Sequence, residues 1–190
     1  SALLPDGWAR DVRFTVENGR IASIETDTPA SPGDEQHQIT LPGLANVHSH
    51  AFQRAFAGLA ERRTHDQDDF WTWRDRMYGV ALSITPADLQ RWATRLYGEL
   101  LAGGYTQVCE FHYLHHQPDG KPYDDELAMS RALIEAARST GIGLTLMPAL
   151  YERAGFDQPA LRDDQRRFAG SAASVWASAG RIQQRARSGT

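Results

Sequence analysis

Apolar and polar positions first alternate near the amino terminus. Val12, Phe14 and Val16 are separated by polar neighbours, Asn18-Gly19 follows, and Ile21 and Ile24 resume the pattern. A period of two around an Asn-Gly pair predicts short strands over residues 9–26 joined by a tight hairpin turn. Residues 27–38, a polar run with Pro, Gly and Asp, read as a loop and a natural boundary. From Ile39 to Val47 the chain is mostly apolar, broken by Pro42-Gly43, and the run ends at His48-Ser49-His50.

The period then changes. Thr85-Pro86-Ala87-Asp88 combines a hydroxyl cap, proline at the first helical position and an acid in the first turn, a strong helix start. Leu89, Trp92, Ala93, Leu96, Tyr97, Leu100 and Leu101 keep a 3.6-residue repeat, and Gly103-Gly104 stops it. Tyr105–Tyr113 predicts a strand, 125–140 a less clearly amphipathic helix closed by Gly141, Ile142–Leu150 a buried strand, and 163–185 a helix. Strands alternating with helices imply parallel βα units, an α/β fold. Counted from His48, three such strands cannot close an eight-stranded barrel, which takes about 250 residues.

Composition narrows the function classes. The 190 residues are 41% hydrophobic with five tryptophans, enough for a substantial core. A net charge of −4, from 20 basic and 24 acidic residues, provides no basic field for nucleic acid or anionic lipid. No run approaches the roughly 18 apolar residues that span a bilayer. Cys109 is the single cysteine, which excludes an internal disulfide and fits a reducing, cytoplasmic setting. The chain opens on Ser1 without a methionine or apolar leader, so the expectation is that the true start is missing.

His48 and His50 carry the candidate chemistry. Two residues apart on a strand, their side chains fall on one face, within reach of a single ion. Neutral imidazoles suit Zn²⁺ and neighbouring transition metals. A bare H-x-H also fits two polar residues capping a strand. Placed at the end of a buried strand that follows a Pro-Gly turn, the pair instead points to the mouth of a barrel.

LPGLANVHSHAFQ (41–53) resembles the first-strand metal motif of the amidohydrolase superfamily. FWTWRDRMY (70–78) and EFHYLHH (110–116) are similar, more specifically, to the formimidoylglutamate deiminase family of histidine breakdown. The resemblance spans roughly residues 3–168. It implies the amino-terminal part of a (β/α)8 barrel, about three βα units over 39–190, preceded by part of a small β-sandwich domain over 1–38. It implies one Zn²⁺ per complete active site, with Fe²⁺ as the alternative, held by His48 and His50 plus a His and an Asp from later strands. Substrate contacts fall on Gln53, Arg74 and Tyr113. The implied reaction is hydrolytic deimination of N-formimidoyl-L-glutamate, a small-molecule substrate, by a homodimer in the complete enzyme.

Residue chemistry supports each choice and leaves alternatives. An Arg fork pairs bidentately with a carboxylate, and formimidoylglutamate has two. If 70–78 is helical, Phe70, Trp73, Arg74 and Met77 share a face, although Arg74 could instead pair with Asp68 or Asp69 or stack on a ring. Gln53 also fits a solvated position, and Tyr113 a core aromatic. Glu110 and His112 share a strand face, so a carboxylate–imidazole bond is expected there, whereas His115 and His116 read as solvated. No histidine follows His116, so no catalytic acid or base is assigned within this chain. Two imidazoles fall short of the three protein ligands of a catalytic zinc, so the chain by itself is expected to bind metal weakly and not to turn over. A deaminase of another amidine or an aminopurine, and a non-catalytic fragment, remain open readings.

Overall fold

The computed structural model describes residues 1–59 and 69–188. Asp68, offered above as a partner for Arg74, and His65 lie outside them. The chain divides into two units, Ser1–Gly43 and Leu44–Thr190.

In the first unit, β1 (Ala2–Leu4) pairs antiparallel with β2 (Gly7–Ala9), and β3 (Arg13–Glu17) with β4 (Arg20–Glu25). Glu17 opposes Arg20, leaving Asn18-Gly19 alone in the turn. Their φ angles of 51° and 73° are those of the hairpin turn that Asn-Gly favours. The β1–β2 hairpin was not legible beforehand, because three-residue strands show no alternation. The polar segment 27–38 is tied back by one side chain. The guanidinium of Arg13 donates to the Pro29 carbonyl (2.8 Å), the Ser31 hydroxyl (2.6 Å) and the Asp34 carboxylate (2.9 Å).

The second unit contains β5 (Leu44–Ser49), α1 (Phe70–Ser83), α2 (Pro86–Ala102), β6 (Tyr105–His112), α3 (Ala128–Thr140), β7 (Gly143–Pro148) and α4 (Ala172–Ser188). The strands form a parallel sheet in the order β5-β6-β7. This is an α/β fold. Thr85 caps α2 as expected: its hydroxyl accepts from the Asp88 amide (3.1 Å), while the Asp88 carboxylate accepts from the Thr85 amide (3.1 Å). Leu89, Ala93 and Tyr97 are the buried stripe of α2.

Three elements differ from the sequence reading. α3 starts at Ala128 and is clearly amphipathic, with Met129, Ala132, Leu133, Ala136 and Ala137 buried. Three of those five residues are alanines, too small to mark a stripe in the sequence. The helix expected over 163–185 is broken into a 3-10 turn (Asp163–Phe168) and α4, with Gly170 between them. Phe168 and Arg167 of that turn plunge into the core, which a continuous surface helix would not allow. Tyr113 lies just past the end of β6 rather than within it.

The core of this unit lies between the sheet and α1–α3. Val108, Glu110 and His112 of β6 face it, and Tyr97 of α2 meets Glu110 there. Strand alternation turns Phe111 to the opposite side, where it is 40% exposed.

Candidate metal centre

His48 and His50 sit where β5 gives way to the 3-10 turn Ala51–Phe56. The ladder between β5 and β6 is irregular here: Asn46 opposes Val108 and Ser49 opposes Glu110, so β5 carries one extra residue. Such bulges re-aim side chains at strand ends. The two imidazoles face each other, with Nε2 atoms 2.9 Å apart and ring planes at 88°. His50 Nδ1 lies 2.9 Å from the Phe111 carbonyl oxygen. A carbonyl only accepts, so Nδ1 carries the proton and Nε2 offers its lone pair toward His48. Burial holds His50 below its ordinary pKa, partly offset by the Phe111 carbonyl, so the ring is neutral near pH 7. The ring of Phe111 stacks on His48, centroids 5.5 Å apart.

This donor set fits half of a zinc site. Two nitrogens at tetrahedral positions around one zinc are separated by about 3.3 Å, close to the 2.9 Å between these two Nε2 atoms. Among the described residues, no group of three or more His, Cys, Asp or Glu converges on a common point.

Gln53 and Tyr113 come together beside the pair. The Gln53 amide donates to the Tyr113 hydroxyl at 3.3 Å, and the Tyr113 ring packs edge-on against His50, 5.1 Å away. Tyr113 is also a core aromatic, touching Phe168 and Tyr151. Burial pushes its hydroxyl pKa up, so it stays a neutral donor. Arg74 does not join this group directly. Its guanidinium lies 5.5 Å from the ring centre of Tyr78, a cation–π contact. The Tyr78 hydroxyl is 3.4 Å from that of Tyr151 and accepts from Gln165 at 2.8 Å. Gln53, Tyr113, Tyr151, Tyr78 and Arg74 thus form one continuous track away from the histidines. Tyr78, Tyr151 and Gln165 had no sequence signal, since only the fold brings the 3-10 turn at 163–168 against α1.

Glu110 does not bond to His112, contrary to expectation. Its carboxylate accepts from the Ala51 amide (2.6 Å) and the Tyr97 hydroxyl (3.4 Å), and the Ser49 side chain also favours its charged form. Burial raises its pKa to about 7 against these bonds. His112 is buried with no hydrogen-bond partner on Nε2 among the described residues. His115 and His116 are half-buried rather than solvated, each with Nε2 against a main-chain carbonyl, Ala149 (3.0 Å) and Ala169 (2.9 Å).

Comparison with known proteins gives the family. Residues 1–38 match the model of the formimidoylglutamate deiminase HutF N-terminal domain, and residues 39–186 match the amidohydrolase family. The chain belongs to the amidohydrolase family. The chain is 48% identical over 168 residues to a formimidoylglutamate deiminase of Pseudomonas aeruginosa, covering 88% of itself and 37% of that relative. An 8-oxoguanine deaminase of the same organism is 32% identical over 110 residues, 53% of this chain and 23% of the relative. An amidohydrolase from Brucella melitensis superposes with a TM-score of 0.89 at 45% identity, over 96% of this chain and 41% of that structure. Atrazine chlorohydrolase TrzN from Arthrobacter aurescens, solved with zinc, gives 0.65 at 20% identity over the same shares, a likeness of fold. This amidohydrolase chain therefore spans about two fifths of the length of the formimidoylglutamate deiminase and of the two solved structures. No described helix is long and apolar enough to cross a membrane.

Proposed function

We propose that this chain carries the first part of the active site of a zinc-dependent deiminase that hydrolyses N-formimidoyl-L-glutamate to N-formyl-L-glutamate and ammonia. The observation that carries the reading is the facing His48/His50 pair with the bonded Gln53–Tyr113 pair at its side. The 48% identity to a formimidoylglutamate deiminase supports the choice of substrate. On this reading the complete enzyme is a cytoplasmic homodimer in histidine degradation.

The roles follow from the chemistry of each group. His48 and His50 supply two imidazole nitrogens to the metal, and the Phe111 carbonyl fixes the tautomer of His50. When bound, zinc supplies the Lewis acidity that brings a water pKa toward neutrality. Gln53 and the Tyr113 hydroxyl offer an amide and a neutral donor for the polar end of the substrate. Arg74, at the far end of the aromatic track, provides the fork for a carboxylate.

A chimaera tests the substrate. Residues 1–168 replace the matching part of the Pseudomonas aeruginosa deiminase, and ammonia release is followed with N-formimidoyl-L-glutamate and with 8-oxoguanine. Turnover of the first substrate is expected, with Arg74→Ala losing it mainly through KM. Turnover of 8-oxoguanine alone, or unchanged kinetics in Arg74→Ala, would overturn the reading.

A further inference from the structure

We propose that Glu110 is a positioning residue for the histidine pair: its buried carboxylate holds the main-chain amide that follows His50, so that this ring presents Nε2 toward His48. Glu110 is 2% exposed, and among the described residues no basic group pairs with it. An isolated buried carboxylate is costly, and an apolar residue of the same size would avoid that cost. Its bonds are therefore its physical account, and the shorter goes to the strand end that carries the histidines. It is to the Ala51 amide immediately after His50 (2.6 Å), and the Ser49 side chain immediately before His50 also favours the charged carboxylate. The other, from the Tyr97 hydroxyl on α2, fixes the carboxylate itself.

The need for such a hold comes from the ladder. Between Asn46 and Ser49 the register with β6 shifts, so regular strand pairing does not fix the main chain through His48. β6 compensates with two consecutive residues acting on opposite sides of the sheet. Glu110 grips the backbone from the core side, while Phe111 accepts from His50 Nδ1 and stacks on His48 from the open side.

The test uses the whole 190-residue chain and two readouts, the ring tautomer of His50 by long-range ¹H–¹⁵N NMR without metal, and a Zn²⁺ titration of both ring signals. The wild-type chain is expected to show a single Nδ1–H tautomer at His50. In Glu110→Ala that tautomer becomes mixed and zinc affinity falls about tenfold, while Glu110→Gln, which keeps a carbonyl acceptor for Ala51, stays within about threefold. Val108→Ala, on the same buried face two residues upstream, lowers stability but leaves both readouts at wild-type values. Wild-type tautomer and affinity in Glu110→Ala, or an equal loss in Val108→Ala, would overturn the proposal. Should Glu110→Ala not fold, Glu110→Asp decides, since the shortened acid draws back from Ala51; wild-type behaviour there also overturns it. The zinc arm rests on the functional reading above, whereas the tautomer arm does not. A chain that binds no zinc but loses its tautomer in Glu110→Ala removes the metal reading and leaves this one standing.

Discussion

Replacing Arg167 with methionine should cost this chain a large part of its stability. Arg167 is fully buried, yet among the described residues no carboxylate pairs with it. Its guanidinium donates to the carbonyls of His116 (2.7 Å), Ile84 (2.8 Å) and Ala81, and to the Tyr123 hydroxyl (3.0 Å). Ala81 lies in the last turn of α1 and Ile84 just beyond it, so the cation closes the negative end of that helix. Methionine keeps much of the volume and donates nothing. Three carbonyls, those of Ala81 and Ile84 buried and that of His116 partly so, lose a donor, at about 1–3 kcal/mol each. Part of this is returned because a desolvated cation is also removed, an effect of several kcal/mol. The net expectation is a loss of about 3 kcal/mol, out of a total of about 5–15 kcal/mol for a domain. With a urea slope near 2 kcal/mol per molar, the unfolding midpoint should fall by about 1.5 M. Arg167→Lys should recover only a minor share, because a single ammonium cannot reach carbonyls spread around a planar fork. A midpoint shift below about 0.5 M in Arg167→Met, equivalent to about 1 kcal/mol, would refute the reasoning.

Thr85→Ala removes the reciprocal cap of α2 and should cost about 1 kcal/mol in urea unfolding, with Thr85→Ser restoring most of it. Gly141 ends α3 at φ 80°, so Gly141→Ala should lower stability by about 1 kcal/mol although no neighbour obstructs the new methyl group. Acid should destabilise the chain through its buried histidines. Burial holds His112 well below its ordinary 6.5, and His50 and His115 shift the same way, so the unfolded chain takes up protons first as pH falls below about 6.5. Glu110 opposes this trend: the folded chain keeps it protonated up to about 7, so it costs stability as pH rises from its ordinary 4.5. His112→Phe should flatten the acid limb of a stability–pH curve, and an unchanged limb would show that His112 does not carry it.

The sequence determined the parts of this protein governed by local rules. Asn18-Gly19 specifies its hairpin because few residues accept left-handed φ, and Thr85-Pro86-Ala87-Asp88 specifies a helix start because its groups satisfy each other. The facing of His48 and His50 was legible too, since strand periodicity places residues two apart on one side. Only the tertiary structure decided what surrounds them. Glu110 looked like a partner for His112, its neighbour on the same strand face, but it turns to Ala51, 59 residues away in sequence. His115 and His116, polar by type, are drawn inward by carbonyls of Ala149 and Ala169. Arg167 and Phe168 fall inside the helix expected over 163–185, but packing against α1 buries both in a separate 3-10 turn. Spacing reports which side of a strand or helix a residue occupies. What a buried polar group pairs with is settled by whichever donor or acceptor the fold brings within about 3 Å, and sequence separation carries no information about that.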